Sequence, residues 1–139
     1  MRQAMTTLPV ETRGQGLVDV THPIARWLGG VGIATGLLTV FCRHTSASLV
    51  IQENADPDVR TDLERFFKRL VREDPSLYEH TLEGPDDMPA HIRSALTTAQ
   101  LSIPVSGGRM ALGTWQGIYL FEHRSRTHAR EVVLHVIGE

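Results

Sequence analysis

The chain has 139 residues, 41% of them hydrophobic and 22% charged, a composition and length that give one globular domain with a core of its own. Its net charge of −2 excludes a strong electrostatic pull toward nucleic acid or a membrane surface, and no apolar run reaches the length of a membrane span. Met1-Arg2-Gln3-Ala4 leads into threonines rather than an apolar signal segment, and the single Cys42 has no internal disulfide partner, so a reducing cytoplasm is the expected location.

Two short strands are expected first, about Met5 to Glu11 and Leu17 to Val20, joined at Gly14-Gln15-Gly16. Thr21 then caps a short helix with Pro23 in its first turn and Ile24, Trp27 and Leu28 on its apolar face, and Gly29-Gly30 ends it. A strand from Thr35 to Cys42 delivers the chain to His44, and a partner from Ala47 to Gln52 returns as a hairpin. Asp56-Pro57 is a strong helix start, because Asp56 accepts from orphan amides and proline at the first helical position gives up no hydrogen bond. Val59, Leu63, Phe66, Phe67 and Leu70 form the apolar stripe of that helix.

A polar loop from Asp74 to Pro89 follows, long enough inside a compact domain to suggest function. The next helix is expected from Met88 or Pro89 to about Ala99, capped by Asp86 or Asp87, with Ile92, Ala95, Leu96 and Ala99 inward. Leu101 to Val105 and Met110 to Leu112 read as a hairpin around Ser106-Gly107-Gly108. A strand from Ile118 to Phe121 ends in Glu122, the arginine-rich turn Arg124 to Arg130 is expected to be solvated, and Glu131 to Ile137 closes the sheet. The order implies an α+β domain, a mostly antiparallel sheet or sandwich with two main helices and one short one.

Seven histidines are present. His22, His123, His128 and His135 have little acidic company and read as structural or solvated. His44, His80 and His91 stand at element ends or in the polar loop, near Asn54, Asp56, Glu83, Asp86, Asp87 and Glu122. Three neutral imidazoles with an open position suit Zn²⁺ or a similar divalent ion, with the acids as supporting shell; ordinary polar packing is the competing reading. His44 beside Ser46 or Ser48 makes a poor nucleophile–base dyad, because adjacent residues of a strand point to opposite faces. No P-loop, G-x-G-x-x-G or G-x-S-x-G is present. Gly113-Thr114-Trp115-Gln116-Gly117 is either an amide-rich anion turn or a place of close strand packing.

His44-Thr45-Ser46-Ala47-Ser48, Glu53-Asn54-Ala55-Asp56-Pro57-Asp58-Val59, Glu83-Gly84-Pro85-Asp86-Asp87-Met88-Pro89-Ala90-His91 and Gly113-Thr114-Trp115-Gln116-Gly117-Ile118 together resemble the signatures of the YjbQ-like family, also called the secondary thiamine-phosphate synthase family. The resemblance covers essentially the whole chain and implies a homotrimeric α+β protein with a polar site near subunit boundaries. It implies that His44, His80 and His91 match the family's histidines, which strengthens the three-histidine metal reading against that of polar packing, that Asn54, Asp56 and Asp87 match the family's polar positions, and that Gln116 and Glu122 match its last motif. Many members carry Asn where this chain has Thr81. The implied reaction joins hydroxymethylpyrimidine diphosphate to a thiazole phosphate with release of pyrophosphate, assisted by Zn²⁺ or Mg²⁺. The alternatives are a metal-dependent hydrolase, or other small-molecule enzyme, and a non-catalytic trimeric binding protein.

Overall fold

The computed structural model describes residues 1–139 as eight strands and three α-helices in two antiparallel sheets. The first sheet has the order β1 (Arg2–Arg13), β8 (Thr127–Gly138), β3 (Thr35–Cys42), β5 (Gln100–Ser106), β6 (Arg109–Met110). The second is β2 (Gly16–Asp19), β7 (Gln116–Glu122), β4 (Ala47–Glu53). Helices α1 (Thr21–Val31), α2 (Pro57–Leu70) and α3 (Asp87–Leu96) complete the α+β domain, with a single 3₁₀ turn at Pro75–Leu77. No helix is long and apolar enough to cross a membrane.

Alternation decides which side of the first sheet is core. Val132, Leu134 and Val136 of β8 and Leu38, Val40 and Cys42 of β3 point inward and are buried. They meet Leu49, Ile118 and Leu120 of the second sheet, while Ile24 and Leu28 of α1 seal one end. The second sheet is covered on both faces, for Leu17, Tyr119 and Phe121 pack outward against Leu63 and Phe67 of α2. That double burial is why β7 reads as an unbroken apolar run rather than an alternating one. Gly36 and Gly138 sit where β3 and β8 pass so closely that a Cβ on either would strike backbone of the other strand.

Several elements differ from the sequence expectation. β3 and β4 do not form a hairpin; they lie in different sheets, and β4 pairs with β7 from Ala47↔Glu122 to Glu53↔Gln116. Helix α1 runs through Gly29-Gly30 and stops at Gly32, whose φ of 80° is the left-handed conformation that ends a helix. Thr21 does not cap it through its side chain; its hydroxyl instead accepts the Ile118 N–H at 2.8 Å. In α2, Asp56 caps as expected, accepting from the Asp58 N–H at 2.9 Å, but Phe66 and Leu70 face solvent. Helix α3 starts at Asp87, ends at Leu96, and buries Asp87, Pro89, Ala90 and Arg93 rather than Ala95, Leu96 and Ala99. Two of these four buried residues, Asp87 and Arg93, are charged because their partners are polar, as the hydrogen bonds below show.

Candidate functional site

The loop after α2 and the first turns of α3 bring three groups together. Asp87 and His91 are four residues apart on α3, which stacks them on one helix face. His80 reaches the same point from the loop, so that ligand atoms of His80, Asp87 and His91 all lie within 4.8 Å of one another. Asp87 Oδ2 is 2.7 Å from His80 Nε2 and 3.0 Å from His91 Nε2. The carboxylate is buried, with 2% of its side chain exposed, while the two imidazoles keep an opening to solvent at 45% and 32%.

Arg124 fixes the carboxylates from behind. Its Nη1 donates to Asp87 Oδ1 at 2.7 Å, its Nε to Asp86 Oδ2 at 2.9 Å, and its Nη2 to the Glu83 carbonyl at 3.0 Å. Burial alone would raise the Asp87 pKa; the His80 hydrogen bond and the charges of His91 and Arg124 outweigh it and hold the group below its ordinary value. Asp87 is therefore an anion at neutral pH. Asp86 is not a side-chain helix cap, because Arg124 and the Ser125 N–H occupy its Oδ2. The turn expected to be solvated is thus tied down through Arg124 and, further on, the buried Arg130.

The tautomer of His91 follows from its partners. A carbonyl only accepts, so His91 Nδ1, 2.9 Å from the Thr45 carbonyl, carries the proton. In the neutral ring Nε2 then presents a lone pair to a carboxylate oxygen 3.0 Å away. Two acceptors at that distance repel unless positive charge lies between them. A second proton or a divalent cation supplies it, and an imidazole whose far N–H is anchored to a backbone carbonyl is the usual arrangement of a metal ligand.

The other expected site residues lie elsewhere. His44 contributes no atom to the group; its Nε2 accepts the Glu131 N–H at 2.8 Å, beside β8. Burial, with help from Arg130, lowers its pKa, so the ring is held neutral. Within one chain the converging set is His80, Asp87 and His91, with an acid in the place expected for His44. Glu122 is fully buried and accepts from Thr12 Oγ1, from Nε and Nη2 of Arg130, and from the backbone amides of His123 and Arg124. Those bonds overcome desolvation and keep it ionised; it is a structural counter-ion with no face open to a substrate.

Asn54, Asp56 and Gln116 stand at the far end of the β4–β7 ladder from Ala47 and Glu122. Six residue steps at about 3.3 Å separate the two ends by roughly 20 Å. Asn54 Nδ2 donates to the Gln116 carbonyl at 3.4 Å, and Gln116 Oε1 accepts the Gly113 N–H at 2.8 Å, closing the glycine turn on itself. Asp56 is occupied as the α2 cap.

His123, read from the sequence as structural or solvated, is structural. It extends the buried run of β7 by one residue, with Nε2 2.9 Å from Ser48 Oγ, which in turn is 2.6 Å from Thr97 Oγ1. Ser48 thus partners His123 and not His44. Burial first, and then the charge of Arg93, push the His123 pKa down to about 3. Its Nδ1 has no partner in the chain. The buried run from Ile118 onward was the available signal.

An α+β protein with two imidazoles and a carboxylate gathered at a helix start defines the class. The description "UPF0047 protein YjbQ-like" belongs to the family model that matches residues 6–139, and the chain is a member of that family. It is 56% identical over 138 residues to UPF0047 protein sll1880 of Synechocystis sp., covering 99% of this chain and 94% of that protein. It is 44% identical over 134 residues to UPF0047 protein YjbQ of Salmonella typhimurium, covering 96% of each. Among solved structures, a conserved hypothetical protein of Thermus thermophilus superposes with a TM-score of 0.84 at 34% identity over 95% of this chain and 99% of that one. A hypothetical protein of Aeropyrum pernix gives the same TM-score and identity over 100% of both chains.

Proposed function

We propose that this chain is a metal-dependent enzyme acting on a phosphorylated small molecule, with His80, Asp87 and His91 as ligands of one divalent cation such as Zn²⁺ or Mg²⁺. The observation that carries the reading is the contact of His91 Nε2 with Asp87 Oδ2 at 3.0 Å, while His91 Nδ1 is committed to the Thr45 carbonyl. That contact calls for positive charge between the two atoms, which a second proton on the ring or a cation supplies, and the proposal takes the cation. Bound there, the ion would supply Lewis acidity toward a leaving phosphate or diphosphate. The chain's own residues do the rest: Arg124 keeps Asp87 ionised, Thr45 orients His91, and His80 stands at the open mouth.

The particular reaction we propose is the one implied by the family resemblance, the joining of hydroxymethylpyrimidine diphosphate to a thiazole phosphate with loss of pyrophosphate. The working assembly is a cytoplasmic homotrimer. The outer face of the first sheet supports association, because Leu37, Phe41 and Ile137 are exposed on it and no helix covers them. Purified protein with Mg²⁺ or Zn²⁺ and both substrates is expected to release pyrophosphate and form thiamine phosphate, and Asp87→Asn is expected to lose this while keeping its fold. No product under conditions where a competent synthase forms it would remove the transferase reading; hydrolysis of a phosphate ester by the same preparation would leave the metal-dependent hydrolase in its place.

A further inference from the structure

Cations gather at a second place, behind the last turn of α2. A cleft of ≈ 390 Å³ is lined there by Gln15, Lys68, Arg72, Glu73, Arg93 and Ser125, with no hydrophobic residue among them. Three cations against one carboxylate make a local positive excess in a chain whose net charge is −2. A concave, wholly polar site with that sign is complementary to an anion.

Arg93 is held in place for such a role. It is 3% exposed, and its Nη2 donates to the Val71 carbonyl at 2.7 Å. Nε reaches the Phe67 carbonyl at 3.4 Å. These bonds seat the guanidinium on carbonyls at the end of α2 and leave Nη1 3.8 Å from Glu73 Oε1, beyond hydrogen-bond range. Nη1 is a fixed donor with capacity to spare. Glu73 itself is engaged by Gln15 Nε2 at 2.7 Å.

A smaller space of ≈ 10 Å³, with Glu64 and Glu122 as well as cations in its wall, lies beside the cleft, shares Gln15, Lys68 and Arg93 with it, and is also lined by His123. That volume holds about one water. His123, 1% exposed, carries the one buried side-chain nitrogen or oxygen in the chain with no hydrogen-bond partner, Nδ1. Buried polar atoms of native proteins are paired, with water or ligand where the chain offers nothing.

We propose that this cleft binds an oxyanion, the phosphate or diphosphate group of a small molecule, through Lys68, Arg72 and Nη1 of Arg93, with the Ser125 hydroxyl, which accepts from Gln15 Nε2 at 3.3 Å, as a neutral donor. Arginine forks suit the phosphate geometry. The assignment is independent of whether a cation occupies the imidazole group, yet hydrogen bonds link the two places. Ser125 donates its N–H to Asp86 at 2.9 Å, and Arg124 bridges Asp86 and Asp87.

The test is calorimetric titration of the full chain with inorganic phosphate and pyrophosphate, in EDTA and at ionic strength fixed with chloride, with amide NMR spectra recorded alongside. EDTA removes metal-bridged binding at the imidazoles. Saturable binding is expected, with shifts at Gln15, Ser125 and the end of α2. Lys68→Gln and Arg72→Gln should each weaken it about tenfold, the loss of one charge-assisted hydrogen bond. Glu73→Gln should tighten it. Lys68, Arg72 and Glu73 lie at the surface, so these variants are expected to keep the native melting profile. The proposal is overturned by no saturable binding up to roughly 10 mM anion, by shifts confined to Gly113–Gly117, or by affinities that ignore Lys68→Gln, Arg72→Gln and Glu73→Gln alike.

Discussion

Replacing Glu122 by Gln isolates the buried ion pair at the end of β7. The side chain accepts from five donors, and its main partner Arg130 is 5% exposed with further bonds to the Ser46 carbonyl and hydroxyl. Glu122→Gln keeps the shape, removes the charge and turns one acceptor into a donor facing donors, so Arg130 is left buried without its counter-ion. Breaking such a pair costs about 3–5 kcal/mol. With an unfolding entropy of about 2.1 cal/mol/K per residue, a chain of this length loses roughly 0.3 kcal/mol per kelvin near its midpoint, so the melting temperature should fall by about 10–17 °C. Calorimetry at one fixed protomer concentration measures this, since association would otherwise shift the midpoint. Adding Arg130→Met should recover part of the loss, because the uncompensated charge is gone. A fall of less than about 1 kcal/mol with Arg130 in place would refute the assignment of Glu122 as a structural counter-ion.

Three further outcomes are expected. His123, buried neutral with its pKa at about 3 against an ordinary 6.5, binds a proton more readily unfolded than folded. Its contribution to stability is complete above pH 6.5 and is lost as pH falls toward 3, at up to about 1.4 kcal/mol per pH unit. Urea unfolding across that range should show the slope in the native protein and a flatter one in His123→Gln; equal slopes would contradict it. Asp56→Ala should lower stability by about 1 kcal/mol through loss of the α2 cap and leave bound metal unchanged in elemental analysis. Phe41→Ser with Leu37→Ser on the outer sheet face should reduce the mass seen by light scattering to that of a protomer; an unchanged mass would place the association surface elsewhere.

The strands and α2 were legible because their signals are local. Alternation fixes β8, and Asp56-Pro57 fixes the start of α2 within the residue pair itself. Pairing was not legible. Nothing between Cys42 and Ala47 says that the two strands part into different sheets, because the choice is made by β7, some 70 residues later, whose doubly buried run needs a neighbour on each side. The inward face of α3 was misjudged for a related reason. Hydrophobic periodicity favours Ile92, Ala95 and Leu96, whereas the helix turns Ala90 and Arg93 inward, and Arg93 reaches the carbonyls of Phe67 in α2 and of Val71 just past its end.

The candidate site was half legible. His80 and His91 were marked by their place in the long polar loop and the next helix, and Asp87 by its company. The i, i+4 spacing of Asp87 and His91 was the stronger signal, since it needs only the helix to be formed. The residues Asn54, Asp56 and Gln116 share motifs with the rest in sequence, yet the length of β4 and β7 sets them at the opposite end of the second sheet. Arg124 could not be assigned as the residue that holds Asp87, because an arginine in a run of arginines carries no mark of its partner until the turn is placed against α3.

Metal content tests the central claim most directly. Untagged native protein should carry about one equivalent of a divalent ion per chain, lost in His80→Ala, Asp87→Asn and His91→Ala, each with native folding, and retained in His44→Ala. An ion that disappears with His44→Ala but survives Asp87→Asn, or native protein with no ion even after incubation with Zn²⁺ or Mg²⁺, would contradict the assignment of His80, Asp87 and His91 as the metal centre.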